Sequence, residues 1–338
     1  MPLLQSLCCL ALLSAFCLAE TDPLAGRGGS YLRLGIGGRA QAMGNAQAAV
    51  LEPTTVFAYW NPAMAAQMTT GHAAAGGLRF MTLDREEGYL SFSTKIPPRA
   101  GFSVALLYHG DRAIPLFDSD GNYQEEGGYL ALTAHISVAY RLTRKLSLGL
   151  NTTLHQVSLS AGTEEGDNMS KLEAGNLDLS AFYLFSKSLS FGLNIKEIQS
   201  NLNWAAPTYG TEFNTTLPDY IPLDIKAGIA YRRTLYGRNF LAAYDLDLYL
   251  IPVNVDSLSF FSRLSEGTQK IEHHVGMEYF LYPEFPLRAG FGSNEYFSLG
   301  CGFYFLDGRF KSLKLDYTLT MEQNGSGLNN GVSWTCSW

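Results

Sequence analysis

Apolar and polar residues alternate along almost the whole chain from residue 72 onward. In the segment Leu146-Ser147-Leu148-Gly149-Leu150-Asn151-Thr152, every second residue up to Leu150 is a leucine. Successive side chains of a strand point to opposite faces, so this period predicts strands with one apolar face. We predict fourteen such strands, at 72–82, 87–96, 100–109, 128–142, 146–159, 175–185, 189–198, 223–232, 238–248, 271–280, 286–292, 296–305, 312–320 and 328–338.

The connections between these strands also alternate, in length. One set is short and rich in turn residues, at 97–99, 143–145, 186–188, 233–237, 281–285 and 306–311. The other set contains four long segments, at 110–127, 160–174, 199–222 and 249–270. Short periplasmic turns and longer extracellular loops are typical of bacterial outer-membrane barrels. The sequence therefore predicts an all-β fold, a transmembrane antiparallel barrel of about fourteen strands with both ends on the periplasmic side.

Charged residues fall on one face of the predicted strands. Within 223–232, Leu223, Ile225, Ala227, Ile229 and Tyr231 alternate with Asp224, Lys226, Gly228, Ala230 and Arg232. An Arg or Lys facing lipid at the bilayer midplane costs about 2 to 4 kcal/mol, so the charged face is expected to line the lumen. The same parity places six more charged residues inside: Asp178, Asp245, Asp247, Glu278, Lys314 and Asp316. Their mixed signs indicate a hydrogen-bonded interior network, with a charged pathway for a polar solute as the alternative.

The first residues have the features of an export signal. An apolar stretch from Leu3 to Leu18 is followed by a small residue, Ala19, which predicts a signal peptide over 1–19. Its start carries no Lys or Arg, so a buried N-terminal helix is the alternative. Cleavage would leave two of the five cysteines, Cys301 and Cys336, which we expect to be small apolar residues without a disulfide.

Composition excludes several classes of protein. A net charge of -7 argues against a nucleic-acid partner. After the predicted signal peptide, no apolar run approaches the roughly 20 residues that a membrane-spanning helix needs. No serine stands in a nucleophile elbow, and no spacing between a histidine and a carboxylate singles out a general base, so we expect no enzyme and no cofactor. His273 and His274 lie on opposite strand faces, so they cannot chelate one metal ion together. The segment Asp118-Ser119-Asp120-Gly121-Asn122 lacks the downstream glutamate of a calcium-binding loop, so no metal site is expected.

Residues 20–71 break the strand pattern. The stretch from Tyr31 to Ala40 is dense in glycine, which allows close approach of backbone to backbone. Further on, Asn61 can cap a short helix whose first position suits Pro62. We predict that this segment forms a compact hatch, or plug, associated with a barrel over 72–338.

Two blocks of the predicted hatch resemble a known family. The segments YLRLGIGGRAQAMGNA and YWNPA are similar to the N-terminal signature of the PorV/PorQ group, an uncharacterised UPF-type family related to the FadL-type long-chain fatty acid transporters. The resemblance implies a fourteen-stranded outer-membrane barrel whose lumen holds a hatch. The residues that carry it are Arg33, Gly35, Gly37, Arg39, Ala40, Met43, Gly44, Trp60, Asn61, Pro62 and Ala63.

The resemblance leaves two functions open. A FadL-like protein would be a channel or docking protein for hydrophobic molecules, with a ligand entering between the outer loops and the hatch moving to open a route. Its candidate mouth is the aromatic loop with Trp204, Tyr209, Phe213 and Tyr220, although these rings could equally pack on one another or lie in lipopolysaccharide. A PorV-like protein would instead be a type IX secretion component that binds secreted cargo proteins.

The expected location is the outer membrane of a Gram-negative-type bacterium. Outer-membrane lipid is then one partner. The barrel-assembly machinery is a second, because the alternating segment from Val332 to Trp338 ends in an aromatic residue and resembles the C-terminal signal that this machinery reads.

Overall fold

The structure is a computed structural model of the chain. It describes residues 22–24, 27–52, 56–117, 120–160, 168–198, 202–206, 215–219, 221–252, 267–293, 296–305, 312–322 and 327–338. The predicted signal peptide over 1–19 lies outside these residues. Within them, no helix has the length and apolar character needed to cross a membrane.

Fourteen antiparallel strands form a closed barrel, which confirms the predicted fold class. The wall strands are β1 (His72–Phe80), β2 (Arg85–Ile96), β3 (Ala100–Phe117), β4 (Tyr123–Arg141), β5 (Leu146–Ser160), β6 (Asn168–Leu184), β7 (Leu189–Lys196), β10 (Leu223–Leu235), β11 (Arg238–Ile251), β12 (Thr268–Tyr282), β13 (Phe285–Gly292), β14 (Tyr296–Phe305), β15 (Ser312–Glu322) and β16 (Gly327–Ser337). Each predicted strand corresponds to one of these.

The first and last wall strands close the ring. Strand β16 pairs with β1 in a register that places Ala73 opposite Ser337. At the seam, the Trp338 carbonyl oxygen accepts hydrogen bonds from the backbone N–H groups of Gly71, at 3.1 Å, and His72, at 3.0 Å. Closure leaves the wall without an unpaired sheet edge, which an apolar surrounding would not tolerate.

The connections follow the predicted sorting, with corrections at the outer end. Strand β3 continues to Phe117 and strand β4 begins at Tyr123, so most of the loop predicted at 110–127 belongs to these two strands. Their pairing shifts register beyond Asp111. Strand β6 likewise begins at Asn168, inside the loop predicted at 160–174. Strand alternation was harder to detect at these ends because the irregular pairing interrupts the period of two.

The long connection between β7 and β10 contains a hairpin that the sequence did not predict. Strand β8 (Leu202–Ala206) pairs with β9 (Thr215–Asp219) in a separate two-stranded sheet. Each of its strands has only five residues, and β9 contains Pro218, which argues against a strand because proline cannot donate to the ladder. The hairpin lies close to wall strand β6.

The two faces of the wall have opposite character. Outward positions expose large apolar side chains, such as Leu90 on β2, which is 60% exposed. Outward aromatic residues near the short turns include Tyr140, Phe185, Tyr231, Tyr282, Phe305 and Trp338. The six charged residues that parity placed inside are all buried, which confirms that prediction. Leu223 is an exception to parity: it is buried together with its cross-strand partner Leu250 at the outer end of β10, rather than exposed.

The segment before the wall lies inside the barrel. It consists of a 3₁₀ helix (Ser30–Arg33), helix α1 (Gly38–Ala42), helix α2 (Phe57–Trp60) and a second 3₁₀ helix (Pro62–Gln67). The backbone φ angles of Gly37 (91°) and Gly44 (61°) lie in the left-handed region on either side of α1, which favours glycine there. We call this segment, residues 27–71 as described, the hatch.

The hatch backbone rests directly on inward-facing glycines of the wall. A Cβ atom at Gly192 of β7 would overlap the Ala48 carbonyl, and one at Gly290 of β13 would overlap the backbone of Gly44. Wall glycines in the same relation to the hatch lie on six strands: Gly101, Gly149, Gly192, Gly276, Gly290 and Gly300. These positions let the hatch pack against the wall around most of the ring.

Candidate functional site

Backbone groups of the hatch are hydrogen-bonded to wall side chains. Asp245 on β11 accepts from the N–H groups of Gln47, at 2.7 Å, and Ala48, at 2.8 Å. On the other side of the lumen, the N–H of Gly38 donates to Ser333 Oγ at 3.0 Å. Buried backbone donors require such partners, and here the wall supplies them.

One buried ion-pair network fixes helix α1 to the wall. The Arg39 guanidinium donates from Nη2 and Nε to the two carboxylate oxygens of Glu278, at 2.9 and 3.0 Å. Glu278 also accepts from Arg288 Nε at 2.6 Å, and Arg288 Nη1 lies 2.8 Å from Asp316 Oδ1. Burial lowers the pKa of Arg39, and the adjacent Glu278 carboxylate raises it by more, so Arg39 stays charged. Arg39 is therefore an anchor of the hatch.

The second motif block forms a turn between hatch and wall. Asn61 Oδ1 accepts from the Ala63 N–H at 3.1 Å, and Pro62 opens the 3₁₀ helix, as predicted. Asn61 Nδ2 donates to the carbonyls of Ala48, at 2.8 Å, and Ala181 on β6, at 3.1 Å. The buried Asn61 side chain makes three hydrogen bonds, so the structure of the hatch accounts for this block.

A small cavity of about 50 Å³ lies on the outer side of the hatch. Helix α2 contributes Tyr59 and Trp60, whose rings meet edge to face at 4.8 Å between centroids. Burial raises the pKa of the Tyr59 phenol, so its hydroxyl remains protonated and donates to the Leu32 carbonyl. The N-terminal part of the hatch contributes Leu32, and the outer end of the wall contributes Ile221. Aromatic and apolar groups thus form part of the lining.

The rest of the lining is charged. Lys226 Nζ on β10 lies 2.7 Å from Asp247 Oδ2 on β11, and also 5.4 Å from the centroid of the Trp60 ring. His274 on β12 donates from Nδ1 to the Gly44 carbonyl at 2.8 Å, and its Nε2 lies 3.2 Å from the same Asp247 oxygen. These groups satisfy one another, so this side of the cavity is a structural network.

Two charged residues of the lining lack such partners. Lys196 on β7 and Asp224 on β10 are opposite each other in the strand register, and both are half-buried. Among the residues that the structure describes, Lys196 has no hydrogen bond or ion pair, and its ammonium lies 4.6 Å from the centroid of the Tyr59 ring. Neither carboxylate oxygen of Asp224 accepts a hydrogen bond from a described residue, and Oδ1 is fully covered.

His135 on β4 adds a third free group to this cavity. Its Nδ1 lies 3.2 Å from Asn151 Nδ2 and 3.2 Å from Thr153 Oγ1, and the Asn151 amide donates to Asp178 Oδ2 at 2.6 Å. The second ring nitrogen of His135 is Nε2. That nitrogen is buried and has no partner among the described residues. Its ring lies edge-on to Tyr59 at 5.7 Å between centroids.

A separate cavity of about 480 Å³ lies on the inner side of the hatch, toward the short turns. It shares no lining residue with the outer cavity. Here Glu52 of the hatch lies 3.7 Å from Lys314 Nζ and 4.0 Å from Arg232 Nε. The hatch therefore divides the lumen into an outer and an inner space.

The residues predicted from sequence divide into three groups in the structure. Of the motif residues, Arg33 and Trp60 line the outer cavity. The other motif residues are buried in the hatch: Gly35, Gly37, Arg39, Ala40, Met43, Gly44, Asn61, Pro62 and Ala63. Of the candidate mouth, Trp204 lies on β8 opposite Leu217. Tyr209, Phe213 and Tyr220 lie outside the described residues.

Sequence reasoning placed Asp178, Asp224, Lys226 and Asp247 in the lumen, and it missed Lys196 and His135. Both missed residues have the inward parity of their strands, which is the signal that could have identified them. Both side chains lie against the Tyr59 ring of the hatch. The position of the hatch inside the barrel cannot be predicted from the parity of the wall strands. In the described part of the chain, no group of three metal-ligating side chains comes together.

Several solved structures share this architecture. The monoaromatic hydrocarbon channel CymD aligns with a TM-score of 0.64 at 15% identity, over 90% of this chain and 98% of its own. The toluene transporter TodX of Pseudomonas putida gives a TM-score of 0.64 at 13% identity, over 90% and 99% of the two chains. A Pseudomonas aeruginosa FadL homologue gives 0.54 at 10% identity, over 89% and 97%.

These identities establish a shared fold and no more. They show that the fourteen-stranded barrel architecture expected from the sequence resemblance also occurs in these three proteins. No protein-family model matches the chain, and comparison with curated protein sequences gives no match. Membership of the PorV/PorQ group is therefore not shown.

Proposed function

We propose that the protein is an outer-membrane channel that admits small molecules with a hydrophobic body from outside the cell. The observation that carries this proposal is the arrangement of the lumen: a hatch separates an outward cavity, partly lined by aromatic and apolar groups, from an inward one. A channel needs an external binding site and a barrier, and the described residues provide both.

The surface of the barrel supports a membrane location. Exposed leucines and aromatic residues cover its outward face, while buried charged residues of both signs, such as Lys226 and Asp247, lie in the lumen. This distribution suits hydrocarbon outside and water or polar groups inside. The proposal places the barrel in the outer membrane of a Gram-negative-type bacterium, with the short turns in the periplasm and lipid as its main partner.

The similar structures agree with passage of hydrophobic molecules. CymD is a monoaromatic hydrocarbon channel and TodX is a toluene transporter. None of the three structures reported above is a secretion component, so the type IX secretion alternative gains no support from them. The proposal assigns no catalytic step and no cofactor.

The hatch is fixed to the wall in this structure, so passage requires a change in it. The Arg39–Glu278 pair and the backbone contacts at the wall glycines hold it on several sides. The expected route therefore opens by a local rearrangement of the hatch rather than by its release as one body, which would break all these contacts together.

Uptake in whole cells tests the proposed function. The full-length chain is produced in a host lacking comparable channels, and entry of radiolabelled toluene and dodecanoate is measured against cells producing an equal amount of an unrelated closed barrel. We expect entry of at least one hydrophobic probe to rise. Equal entry in both strains, with the protein present and heat-modifiable in the outer-membrane fraction, would reject a channel; recovery from the soluble periplasm would reject the membrane location.

A further inference from the structure

The short connections at the inner end of the barrel carry a charge opposite to that of the chain. The six predicted short connections contain seven Lys or Arg and two acidic residues, although the chain has a net charge of -7. The four long connections contain thirteen acidic residues and four Lys or Arg. Positive charge is therefore concentrated at the inner end.

Four of the short connections form a continuous basic arc. The connections at 97–99, 143–145, 186–188 and 233–237 contain no acidic residue. They join wall strands that follow one another around the ring from β2 to β11. We call the exposed Lys and Arg side chains of these connections the basic arc: Arg99, Arg144, Lys145, Lys187 and Arg233.

Contacts between neighbouring turns hold the middle of the basic arc together. The Lys145 ammonium donates to the Phe185 carbonyl at 2.8 Å, which joins the turn between β4 and β5 to the turn between β6 and β7. The Leu184 N–H donates to the Lys145 carbonyl, also at 2.8 Å. Because Lys187 lies two residues beyond Phe185, the charges of Arg144, Lys145 and Lys187 lie on two adjacent turns.

An apolar groove of about 660 Å³ lies on the outward face of strands β4 to β7. Its floor includes Ala181 on β6, which the strand register places between Leu148 on β5 and Leu193 on β7. Exposed aliphatic side chains form its sides: Val138, Leu148, Leu150, Leu179 and Leu193. A small residue among larger ones leaves space on this face for part of an apolar chain.

The inner end of the groove meets the basic arc. Leu148 lines the groove and follows Lys145 by three residues, which span no more than about 10 Å even in an extended chain. Tyr140 also lines the groove, four residues before Arg144. Exposed aromatic residues such as Tyr140 and Phe185 are typical of the level of lipid head groups. The groove and the basic arc therefore follow one another as an acyl chain and its phosphate do.

The combination of groove and charge decides between possible occupants. A hydrocarbon would fill the groove and leave the basic arc without a partner. An acidic protein would reach the basic arc from water and leave the groove unfilled. An anionic phospholipid has both parts, and each Lys or Arg near a membrane surface strengthens the binding of anionic lipid by about fivefold.

We propose that the groove and the basic arc bind an anionic phospholipid of the periplasmic leaflet of the membrane. Its acyl chain lies along Ala181, and its phosphate lies at Arg144, Lys145 and Lys187. The inference uses the membrane location proposed above, and it does not depend on the passage of any molecule through the barrel.

Two lipids with identical chains test the role of charge. Dioleoylphosphatidylglycerol is anionic, and dioleoylphosphatidylcholine has no net charge. Their dissociation constants for the full-length protein in detergent are measured by native mass spectrometry. We expect the anionic lipid to bind roughly tenfold or more tightly than the neutral one. Equal affinities would overturn the assignment.

Substitutions in the basic arc assign the head group. The combined variant Arg144→Gln, Lys145→Gln and Lys187→Gln is expected to weaken binding of the anionic lipid by roughly a hundredfold, and to leave binding of the neutral lipid unchanged. The variant Arg144→Lys, Lys145→Arg and Lys187→Arg should retain the preference. The matched control removes three charges at the outer end and should also retain it: Arg27→Gln, Arg85→Gln and Lys270→Gln.

A substitution in the groove assigns the acyl chain. Ala181→Phe places a large side chain where the groove is deepest, so it should weaken binding of both lipids by about tenfold or more. The matched control is Ala74→Phe, on the outward face of β1 and away from the groove, which should leave both affinities unchanged.

Three results would overturn the assignment. They are a preference for the anionic lipid that persists in the folded triple-glutamine variant, unchanged lipid affinities in folded Ala181→Phe protein, and displacement of the bound lipid by soluble hexaglutamate, which would make the arc a surface for acidic proteins. If the triple-glutamine variant fails to fold, the three single substitutions decide, each with an expected loss of about fivefold.

The lipid site and the channel can fail separately. Toluene entry into cells, together with equal affinities for the two lipids, would reject the lipid site and leave the channel standing. A preference for the anionic lipid that the triple-glutamine variant loses, without entry of any hydrophobic probe, would support the lipid site and reject the proposed channel alone.

Discussion

Arg39 in the hatch and Glu278 on strand β12 are joined by two hydrogen bonds, of 2.9 and 3.0 Å, inside the barrel. Both side chains are almost fully buried, at 3% and 4% exposure. The fork of a guanidinium matches the two oxygens of a carboxylate, so this contact fixes the orientation of helix α1 as well as its position. It links a residue of the recognised motif to a wall residue 239 positions away in sequence.

Removing the Arg39 side chain should loosen the hatch. Arg39→Met leaves Glu278 with Arg288 alone, and loss of one partner of a buried pair typically costs about 3 to 5 kcal/mol. We expect hydrogen exchange of the amides around residues 38–50 to accelerate, measured by mass spectrometry. The matched control is Arg144→Met, at an exposed turn. Unchanged exchange in the Arg39 variant would show that the hatch is held mainly elsewhere.

The inner ion pairs should contribute much less. Glu52→Gln removes contacts of 3.7 Å to Lys314 and 4.0 Å to Arg232, but Glu52 is 32% exposed. Partly exposed pairs contribute about 0 to 1 kcal/mol and are screened by salt. We expect the same exchange measurement to change slightly, and the difference from the unaltered protein to vanish at high salt. An effect as large as that of Arg39→Met would contradict this ranking.

A methyl group on a wall glycine should displace the hatch. In Gly192→Ala the new Cβ would occupy the position of the Ala48 carbonyl oxygen, so hatch backbone must move. We expect higher ion conductance in planar bilayers, because a shifted hatch no longer seals the lumen. Gly88→Ala on β2 is the control, since its Cβ would meet only a Leu78 side chain. Equal conductance in the two variants would argue against a tight seal at Gly192.

A charge on the outward face should impair assembly in the membrane. Leu90 is 60% exposed near the middle of β2, where an Arg facing hydrocarbon costs about 2 to 4 kcal/mol. Leu90→Arg should therefore reduce the heat-modifiable fraction in outer membranes. Leu83→Arg is the matched control, because Leu83 is 77% exposed in the connection between β1 and β2. If both variants assemble normally, this face does not contact lipid.

The wall could be predicted from sequence because its pattern is local. In a segment such as 146–152, the alternation of apolar and polar residues shows which side chains face each side of the strand. The number of strands, their order and the charged residues of the lumen can therefore be predicted without tertiary information. The β8–β9 hairpin was missed because its strands are only five residues long. The extended ends of β3 and β4 were missed because their pairing is irregular.

The charged groups of the outer cavity could not be derived in the same way. Lys196 and Asp224 lie 28 positions apart in sequence and meet through strand register, with a whole hairpin intervening. His135 contacts Asn151, on the neighbouring strand. The motif residues, in contrast, were correctly singled out, but most of them hold the hatch together, and only Trp60 and Arg33 reach the cavity.

The seam between β1 and β16 limits the order in which the molecule can be assembled. These strands are the first and the last of the wall, so the ring can close only when all the other strands are present. The hatch precedes β1 and contacts wall strands on every side of the lumen. A wall that forms strand by strand would therefore be built around the hatch, and a hatch that has not packed when β1 meets β16 must form its contacts inside a closed ring.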